Sequence, residues 1–406
     1  MIVFEFKLKG NSEQYLILDE MIRTANFIRN KALRHWLDNQ GTSNNDLQKL
    51  CAVLAKEYEW AGKLNSQARQ ASADRAWFAI SRFYANCKTQ KKGKKGFPRF
   101  KKKGHSVEYK TTGWQLSEDK KYLTLTDKFK AGKFKLIGTR DLYFYEKSEI
   151  KRVRIIRRAD GYYAQFCINI ERKEERESTG IARGIDVGLE YFYTDSEGNT
   201  VENPKFLRKS EKSLKRLQRK VSRKKKGSKN RRKAINKLAR KHLKVSRQRK
   251  DFAVKTARAL IQSSDLVAYE DLKVSNLVRN HRLAKSISDV SWGLFLEWVE
   301  TFGKIYGVEC RAVAPHYTSQ DCSNCDTRVP KSLSTRTHIC PKCGIKLHRD
   351  HNAARKILAK GLGISTLGHR ETGATALNAW GENNLCLSQA IGLNKLIRGT
   401  KNPTRF

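Results

Sequence analysis

The chain has 406 residues, with 84 Lys or Arg against 40 Asp or Glu. Its formal net charge of +44 indicates that its partner is a polyanion, and nucleic acid is the expected one. The length allows two or three domains. A membrane protein is excluded, because no apolar run approaches the roughly 18 to 20 residues that span a bilayer and there is no signal-peptide pattern. Nine cysteines, an odd number spread thinly, exclude a disulfide framework, so we expect a cytoplasmic, nucleoid-associated protein with no membrane partner.

The first part of the chain predicts one strand and then a helical unit. Residues 2 to 8 alternate between apolar and mainly polar positions, which is typical of a half-buried strand. Asn11 is a candidate first cap of a long helix, and apolar residues recur at helical spacing from Leu47 to Tyr58. The Ala-rich stretch 65–87 continues the pattern. We therefore predict a small helical unit over residues 11–88.

A basic loop follows. Residues 88–103 contain nine Lys or Arg and no acid, and Gly93, Gly96 and Pro98 interrupt them. Such a segment is typical of a loop that contacts phosphates. The candidate nucleic-acid contacts here are Lys94, Lys95, Arg99 and Lys101.

Residues 121–170 predict β-structure. Asp160-Gly161 between two alternating runs is a strong hairpin signal. Together with the first strand, this region predicts a β-barrel-like module into which the helical unit is inserted. The predicted strands are 122–125, 142–145, 153–156 and 162–166.

The segment 205–250 has the highest positive charge in the chain. It holds 23 Lys or Arg and one acid, Glu211, and a turn at Gly227-Ser228 divides two weakly apolar helical stripes. The alternative is a solvated face, but such faces normally mix both signs of charge. We predict a helical hairpin that contacts nucleic acid, with these candidate residues: Arg219, Arg223, Lys226, Arg231 and Arg232.

Beyond the hairpin, the pattern predicts a short buried strand at 266–269, a helix near 289–306 and a strand at 308–313. From residue 361 onward, Gly and Asn are scattered through a mixed sequence, which favours a loose tail.

Four cysteines predict a metal site. Cys322, Cys325, Cys340 and Cys343 form two CxxC pairs separated by fourteen residues, a spacing that suits one tetrahedral Zn²⁺. Four thiolates leave no open coordination position, so the zinc is expected to be structural. The alternative is four unligated thiols. Four histidines flank this region and are interpreted as polar surface or nucleic-acid contacts: His316, His338, His348 and His351.

Three acids lie at the ends of predicted elements. Asp186 ends a predicted strand, Glu270 ends the buried run from Leu266, and Asp350 precedes a helical stretch. Each alone has an ordinary explanation, as a turn residue, a helix-start acid or an N-cap. Together they could converge at one edge of an α/β sheet and hold two divalent cations that act on a phosphodiester.

These motifs, in this order, resemble the TnpB (OrfB) family of insertion-sequence proteins, relatives of the compact type V CRISPR effectors. The resemblance rests on Gly184-Ile185-Asp186, Tyr269-Glu270-Asp271-Leu272, the two CxxC pairs and Arg349-Asp350 before Asn352-Ala353-Ala354, and it covers residues 1 to about 360. The basic loop at 96–101 is also similar to a family signature.

The resemblance implies an α/β and β multi-domain fold. Residues 1–10 and 89–178 would form a β-barrel wedge domain, with a helical recognition domain inserted at 11–88. A RuvC-like nuclease domain of RNase H fold would span 179–319 and 345–365, with the basic hairpin at 205–255 as an insert. Residues 320–344 would be a zinc-binding domain for target nucleic acid, and 366–406 a loose C-terminal tail.

The same resemblance implies an RNA-guided DNA endonuclease of bacterial or archaeal origin, working as a monomeric ribonucleoprotein. A guide RNA derived from the transposon's end would direct cleavage of double-stranded DNA beside a short adjacent motif. Asp186, Glu270 and Asp350 would bind two Mg²⁺ ions and carry the catalysis.

Two departures from the family pattern stand out. Asp326 follows the first CxxC where Gly is usual, and His348 stands where an acid is common. The alternative functions are an RNA-guided DNA-binding repressor that does not cut, a transposase or transposase accessory protein, and a CRISPR effector.

Overall fold

The computed structural model describes residues 2–90, 93–332 and 334–363, which form two compact units. The first comprises the described residues up to Arg172 together with Lys220–Arg240, and the second comprises Lys173–Arg219 and the described residues from Lys241 onward. The predicted tail at 366–406, including Cys386, lies outside the described residues. Across the part of the chain that the structure describes, no helix is both long enough and apolar enough to cross a membrane.

A seven-stranded antiparallel sheet forms the base of the first unit. Its strands are β1 (Ile2–Lys9), β2 (Ser106–Tyr109), β3 (Trp114–Leu116), β4 (Tyr122–Leu125), β5 (Gly132–Ile137), β6 (Ile150–Arg158) and β7 (Gly161–Ile168). They lie in the order β2-β6-β7-β1-β5-β4-β3. The predicted hairpin is confirmed, because β6 pairs with β7 across Arg158 and Gly161, and the φ of 138° at Gly161 is a value that L side chains rarely adopt.

The predicted strand at 142–145 is wrong. Leu142 is buried, but Tyr143 and Phe144 are 66% and 72% exposed and the backbone forms a turn in which the Tyr145 N–H bonds to the Leu142 carbonyl. The ammonium of Lys120 donates to the carbonyls of Tyr143 and Tyr145, so these groups do not join a ladder. Apolar composition predicted a strand here, although none of the described strands pairs with this segment.

Four helices lie between β1 and β2 in the first unit, as predicted for residues 11–88. They are α1 (Ser12–Asp38), α2 (Asn44–Glu57), α3 (Glu59–Gly62) and α4 (Ser66–Lys88). Asn11 and Gln14 form a reciprocal capping box at the start of α1. Apolar side chains of α1, among them Leu18 and Met21, pack in one core with Phe134 and Phe166 of the sheet. Burying each such side chain stabilises the fold by about 1.5–3 kcal/mol.

The second unit contains a mixed five-stranded sheet. Its strands are β8 (Ala182–Val187), β9 (Tyr191–Asp195), β10 (Thr200–Glu202), β11 (Leu266–Glu270) and β12 (Glu309–Val313). The order is β10-β9-β8-β11-β12, with β8, β11 and β12 parallel to one another and β9 and β10 antiparallel to their neighbours.

Helices cover both faces of this sheet. They are α5 (Phe206–Ser222), α6 (Lys229–Gln262), α7 (Val274–Leu277), α8 (Ala284–Val290), α9 (Trp292–Tyr306) and α10 (Arg349–Leu362). Val267 of β11 packs in a core with residues of α6 and α9, whereas its neighbour Ala268 packs with Ile357 of α10. Since neighbouring strand residues point to opposite faces, α10 packs on the side of β11 opposite to α6 and α9.

The helix predicted near 289–306 is confirmed as α9, which begins at Trp292, while Asp289 and Val290 end the preceding helix α8. Ser291 takes a left-handed conformation, with φ 61°, and separates α8 from α9. After α9, a short hairpin of β13 (Thr337–Ile339) and β14 (Lys346–His348) precedes α10.

Candidate active site

The three predicted acids meet at one edge of the second unit's sheet. Ile185 of β8 is the register partner of Tyr269 in the parallel strand β11. The next residue on each strand is an acid, so Asp186 and Glu270 lie side by side. Asp350 lies in the first turn of α10, the helix packed on these strands. The carboxyl ends of adjacent parallel strands meet at the same sheet edge, which explains the convergence.

The electrostatics of this cluster favour a bound cation. Burial raises the pKa of Asp186 well above its ordinary value, and the nearby carboxylates of Glu270 and Asp350 raise it further. Burial also raises the pKa of Glu270, although the Thr318 hydroxyl donates a hydrogen bond to its Oε1. Carboxylates that repel one another in a desolvated site need either a proton or a metal ion to balance them.

Gly184 determines how closely α10 approaches the sheet. A Cβ atom added at Gly184 would lie 2.2 Å from the Ala354 carbonyl and 2.6 Å from the Leu358 nitrogen. Across the sheet edge, a Cβ at Gly188 would lie 3.8 Å from Oδ2 of Asp350. The helix that carries Asp350 therefore rests directly on the strand that carries Asp186.

Two of the four predicted histidines lie beside Asp350. His348 is the N-cap of α10, and its Nδ1 accepts a hydrogen bond from the Asp350 N–H at 3.3 Å. His351 lies 3.2 Å from the Ser196 carbonyl through Nε2, and burial lowers its pKa. His316 is exposed. The expectation that His338 lies at the surface is wrong, because it is fully buried, with the ammonium of Lys331 at its Nδ1.

The four cysteines form the predicted tetrahedral cluster. The Sγ atoms of Cys322 and Cys343 are 3.6 Å apart, and those of Cys325 and Cys340 are 3.5 Å apart. Four ligands at about 2.3 Å from a tetrahedral Zn²⁺ would be separated by about 3.8 Å. The geometry and the thiolate chemistry both fit one structural zinc ion.

The residues that follow the two pairs explain one departure from the family pattern. Gly344 after the second pair and Asp326 after the first both have left-handed backbones, with φ of 70° and 58°. Each donates its N–H to the carbonyl of the first cysteine in its pair, Cys340 and Cys322 respectively. Asp is among the residues that tolerate this conformation, and its carboxylate accepts a hydrogen bond from the buried ammonium of Lys356 in α10.

Sequence reasoning gave no role to Asn352, which joins the zinc site to α10. This side chain is completely buried. Its Oδ1 accepts from the Ser323 N–H at 2.9 Å, and its Nδ2 donates to the Asp321 carbonyl at 2.9 Å. The only signal in the sequence is its place in the motif that begins with Arg349 and Asp350.

The predicted basic loop has a fixed path in the first unit. Its backbone carbonyls accept hydrogen bonds from helix side chains: Asn86 to Lys95, Arg29 to Arg99, and Asn26 and Asn30 to Lys101. Lys94, Arg99 and Lys101 are exposed and Lys95 is half-buried. The cations are therefore displayed on a loop whose backbone the helices hold.

The predicted hairpin residues differ from one another. Arg219, Arg223, Lys226 and Arg232 are exposed. Arg231 is half-buried, and its Nη1 donates to the carbonyls of Val221 at 3.0 Å and Lys224 at 2.9 Å. These bonds close the turn of the hairpin, so this guanidinium has a structural role.

Comparisons with known proteins agree with the motifs. Residues 165–281 match the OrfB_IS605 family model, described as "Probable transposase", and residues 292–357 match the Cas12f1-like TNB domain. A candidate RNA-guided DNA endonuclease from Streptomyces pristinaespiralis is 40% identical over 193 residues, which cover 47% of this chain and about half, 48%, of that relative's length. InsQ of Escherichia coli K12, also named as a candidate RNA-guided DNA endonuclease, is 27% identical over 90% of this chain and 93% of its own.

One solved structure has a similar fold. The Cas12f1 chain of a Cas12f1–sgRNA–target DNA complex superposes with a TM-score of 0.52 at 16% identity, covering 86% of this chain and 83% of that one. The resemblance to the TnpB (OrfB) family and to compact type V effectors is thereby confirmed.

Proposed function

For this chain, which is similar to the TnpB (OrfB) family, we propose the function of an RNA-guided DNA endonuclease. A guide RNA derived from the transposon's end would direct it to double-stranded DNA beside a short adjacent motif. The observation that carries the proposal is the convergence of Asp186, Glu270 and Asp350 at one sheet edge, in a chain with relatives named for this activity.

The architecture supports a RuvC-like nuclease domain in the second unit. The sheet order is β10-β9-β8-β11-β12, with the first three strands antiparallel and the last two parallel to β8, and it supports an RNase H-like fold for this unit. In this proposal the first unit supplies the wedge sheet and the helical recognition domain, and residues 320–344 are the zinc-binding domain for target nucleic acid.

The acids would hold two Mg²⁺ ions, which supply positive charge at the attacking water and at the leaving oxygen of the phosphodiester. The chain's own residues prepare this site. Burial raises the pKa of both Asp186 and Glu270, which disfavours their ionised forms until a cation balances the charge. Thr318 fixes the orientation of Glu270 by its hydrogen bond, and His348 fixes the first turn of the helix that carries Asp350.

The positive charge fits the guided mechanism. A guide-target heteroduplex of about 20 base pairs carries roughly 40 phosphates, close to the net charge of +44. Base pairing would read the sequence, while the basic segments 88–103 and 205–250 would contact backbones. The function then needs no base-specific side chain along the heteroduplex.

The decisive experiment is to express the gene with its native downstream flank and sequence the RNA that purifies with the protein. One abundant RNA that ends at the element boundary is expected, and it allows a target to be designed. Asp186→Ala should then abolish cutting but keep guided binding. Asp251→Ala, which removes an exposed acid of α6, is the matched control and should cut normally.

Two other functions are tested by the same material. A wild-type protein that binds its target under guidance but never cuts it would be a repressor, and this outcome contradicts the catalytic assignment. The OrfB_IS605 description supports a transposase or accessory protein as the other candidate. Joining of transposon ends without any RNA would favour that function.

Zinc content tests the cofactor assignment independently of activity. We expect one zinc per purified chain, and Cys343→Ser should lose it. Cys87→Ser, which changes a cysteine outside the cluster, should keep it. Full zinc content in the first variant would contradict a four-cysteine site.

A further inference from the structure

We propose that a cationic cavity beside the three acids binds a backbone phosphate of the DNA strand being cut, one or two nucleotides from the scissile bond. This inference rests on the proposed function and adds a substrate site to it. The cavity lies within the second unit and has a volume of about 340 Å³. That volume falls within the range of small-ligand sites, about 300–1,000 Å³.

Four cations line the cavity: Lys205, Arg208, Lys285 and Arg336. Two acids also line it, but both have cationic or backbone partners. Glu190 pairs with Arg336 at 3.3 Å. Asp289 accepts the N–H groups of Leu207 and Arg208 at the start of α5 and pairs with Arg249 at 2.9 Å.

Two of the cations have no such compensation. Lys285 pairs with Glu211 at 2.5 Å, but the side chains of Lys205 and Arg208 have no hydrogen-bond or ion-pair partner within the described ranges. The lining residues together carry four positive and two negative charges. A phosphate would supply the missing negative charge, and an Arg guanidinium can bind it through two parallel hydrogen bonds.

The cavity adjoins the acids on two sides. Leu189, which lines it, follows Gly188 and is three residues after Asp186, at most about 11 Å along an extended chain. On the other side, the carbonyl of Arg336 accepts the N–H of Arg349 at 2.7 Å, and the next residue is Asp350. A strand whose scissile phosphate reaches the acids would therefore place a neighbouring phosphate at this cavity.

The lining also indicates what the site does not recognise. None of the nine residues around the cavity is aromatic, so nothing in this lining offers a stacking face for a base. Recognition by charge alone positions the strand without reading its sequence. This suits a guided nuclease, because base pairing with the RNA supplies the specificity.

The test pairs a protein change with a chemical change in the DNA. Target strands are made with a neutral methylphosphonate at one linkage at a time around the cut site. Cleavage rate and binding affinity are measured for wild type, Arg208→Ala, Arg208→Lys and Lys209→Ala. Only the backbone N–H of Arg208 caps α5, so the substitutions leave that bond in place. Lys209→Ala removes an equal charge from the same turn at an exposed residue outside the cavity.

At one or two linkages beside the cut, we expect the neutral linkage to lower the cleavage rate of wild type by about tenfold or more. At the same linkages it should have little further effect on the cleavage rate of Arg208→Ala. Lys209→Ala, whatever its effect on overall affinity, should show the same sensitivity to the neutral linkage as wild type, and Arg208→Lys should lie in between. The inference would be overturned if the effects of the Arg208 substitution and of the neutral linkage were additive at every DNA linkage. It would also be overturned if the two changes were coupled only when the neutral linkage is in the guide RNA. A wild-type protein that neither binds nor cuts under guidance would instead refute the proposed function.

Discussion

Asn352 of helix α10 accepts a hydrogen bond from the backbone N–H of Ser323, a residue between the first two cysteines of the zinc cluster. This contact joins the zinc site directly to the helix that carries Asp350, two residues before Asn352. The amide of Asn352 is buried and is bonded through both its oxygen and its nitrogen.

Asn352→Ala should therefore slow cleavage while guide RNA binding stays unchanged. The substitution leaves the Ser323 N–H and the Asp321 carbonyl buried without their partner, at a cost of about 1–3 kcal/mol each. We expect a rate reduction of about tenfold or more, measured in single-turnover cleavage. Asn324→Ala, at an exposed asparagine of the same knuckle, is the control. Equal rates for the two variants would contradict a positioning role for Asn352.

Asp326→Gly restores the residue usual in the family, yet we expect it to destabilise this protein. Gly relieves at most about 1–2 kcal/mol at a φ of 58°. The change also removes the carboxylate partner of Lys356, whose side chain is only 9% exposed, and breaking such a pair costs about 3–5 kcal/mol. The net loss should be about 2 kcal/mol in the free energy of unfolding.

The double variant Asp326→Gly with Lys356→Met should recover most of that loss, since it removes both charges. Chemical denaturation of the zinc-loaded chain measures both effects. A single variant as stable as wild type would mean that the ion pair contributes nothing to the fold.

Neighbouring arginines of the basic hairpin should give different phenotypes. Arg232 is exposed, so Arg232→Ala should weaken RNA binding and reduce the slope of log affinity against log salt by about one contact. Arg231→Ala removes two hydrogen bonds that close the hairpin turn, so it should speed proteolysis between residues 222 and 231. If Arg231→Ala alone changed the salt slope, its guanidinium would be a phosphate contact after all.

A buried carboxyl in the first unit should make stability depend on pH. Burial raises the pKa of Asp127 to about 6, from 3.8, although the Tyr109 hydroxyl donates to it at 2.7 Å. Between about pH 4 and pH 6 the folded state holds a proton that the unfolded state has lost, so this group's contribution falls as pH rises. The loss is complete above about pH 6 and amounts to about 3 kcal/mol.

Asp127→Asn cannot ionise, so its stability relative to wild type should increase from pH 4 to pH 6 and then stay constant. Urea unfolding at a series of pH values measures the difference. A constant difference over the whole range would show that Asp127 is not protonated in the folded state at pH 5.

Local patterns predicted the features that depend on local chemistry. Asn11 as a cap and Asp160-Gly161 as a turn were confirmed because each acts through backbone groups a few residues away. The strand predicted at 142–145 failed because an apolar run does not reveal whether a neighbouring strand is available.

The convergence of the acids was predictable for a topological reason, since apolar runs that end in an acid place those acids at one edge when the strands are parallel. The contacts of Asn352 and Lys356 were not predictable. Their partners lie about thirty residues away, and a buried polar residue looks the same in sequence as an exposed one. The cavity beside the acids was missed for a similar reason, because its cations come from three separate segments.

The close approach of α10 to β8 has a consequence for engineering. Gly184 leaves no room for even a methyl group under Ala354, so the separation of Asp186 and Asp350 is set by a residue that has no side chain. Strand and helix, more than 160 residues apart in the chain, must therefore be transplanted together. A relative that receives Arg349–Leu362 of this chain should cut DNA only if its own strand has a glycine two residues before the acid.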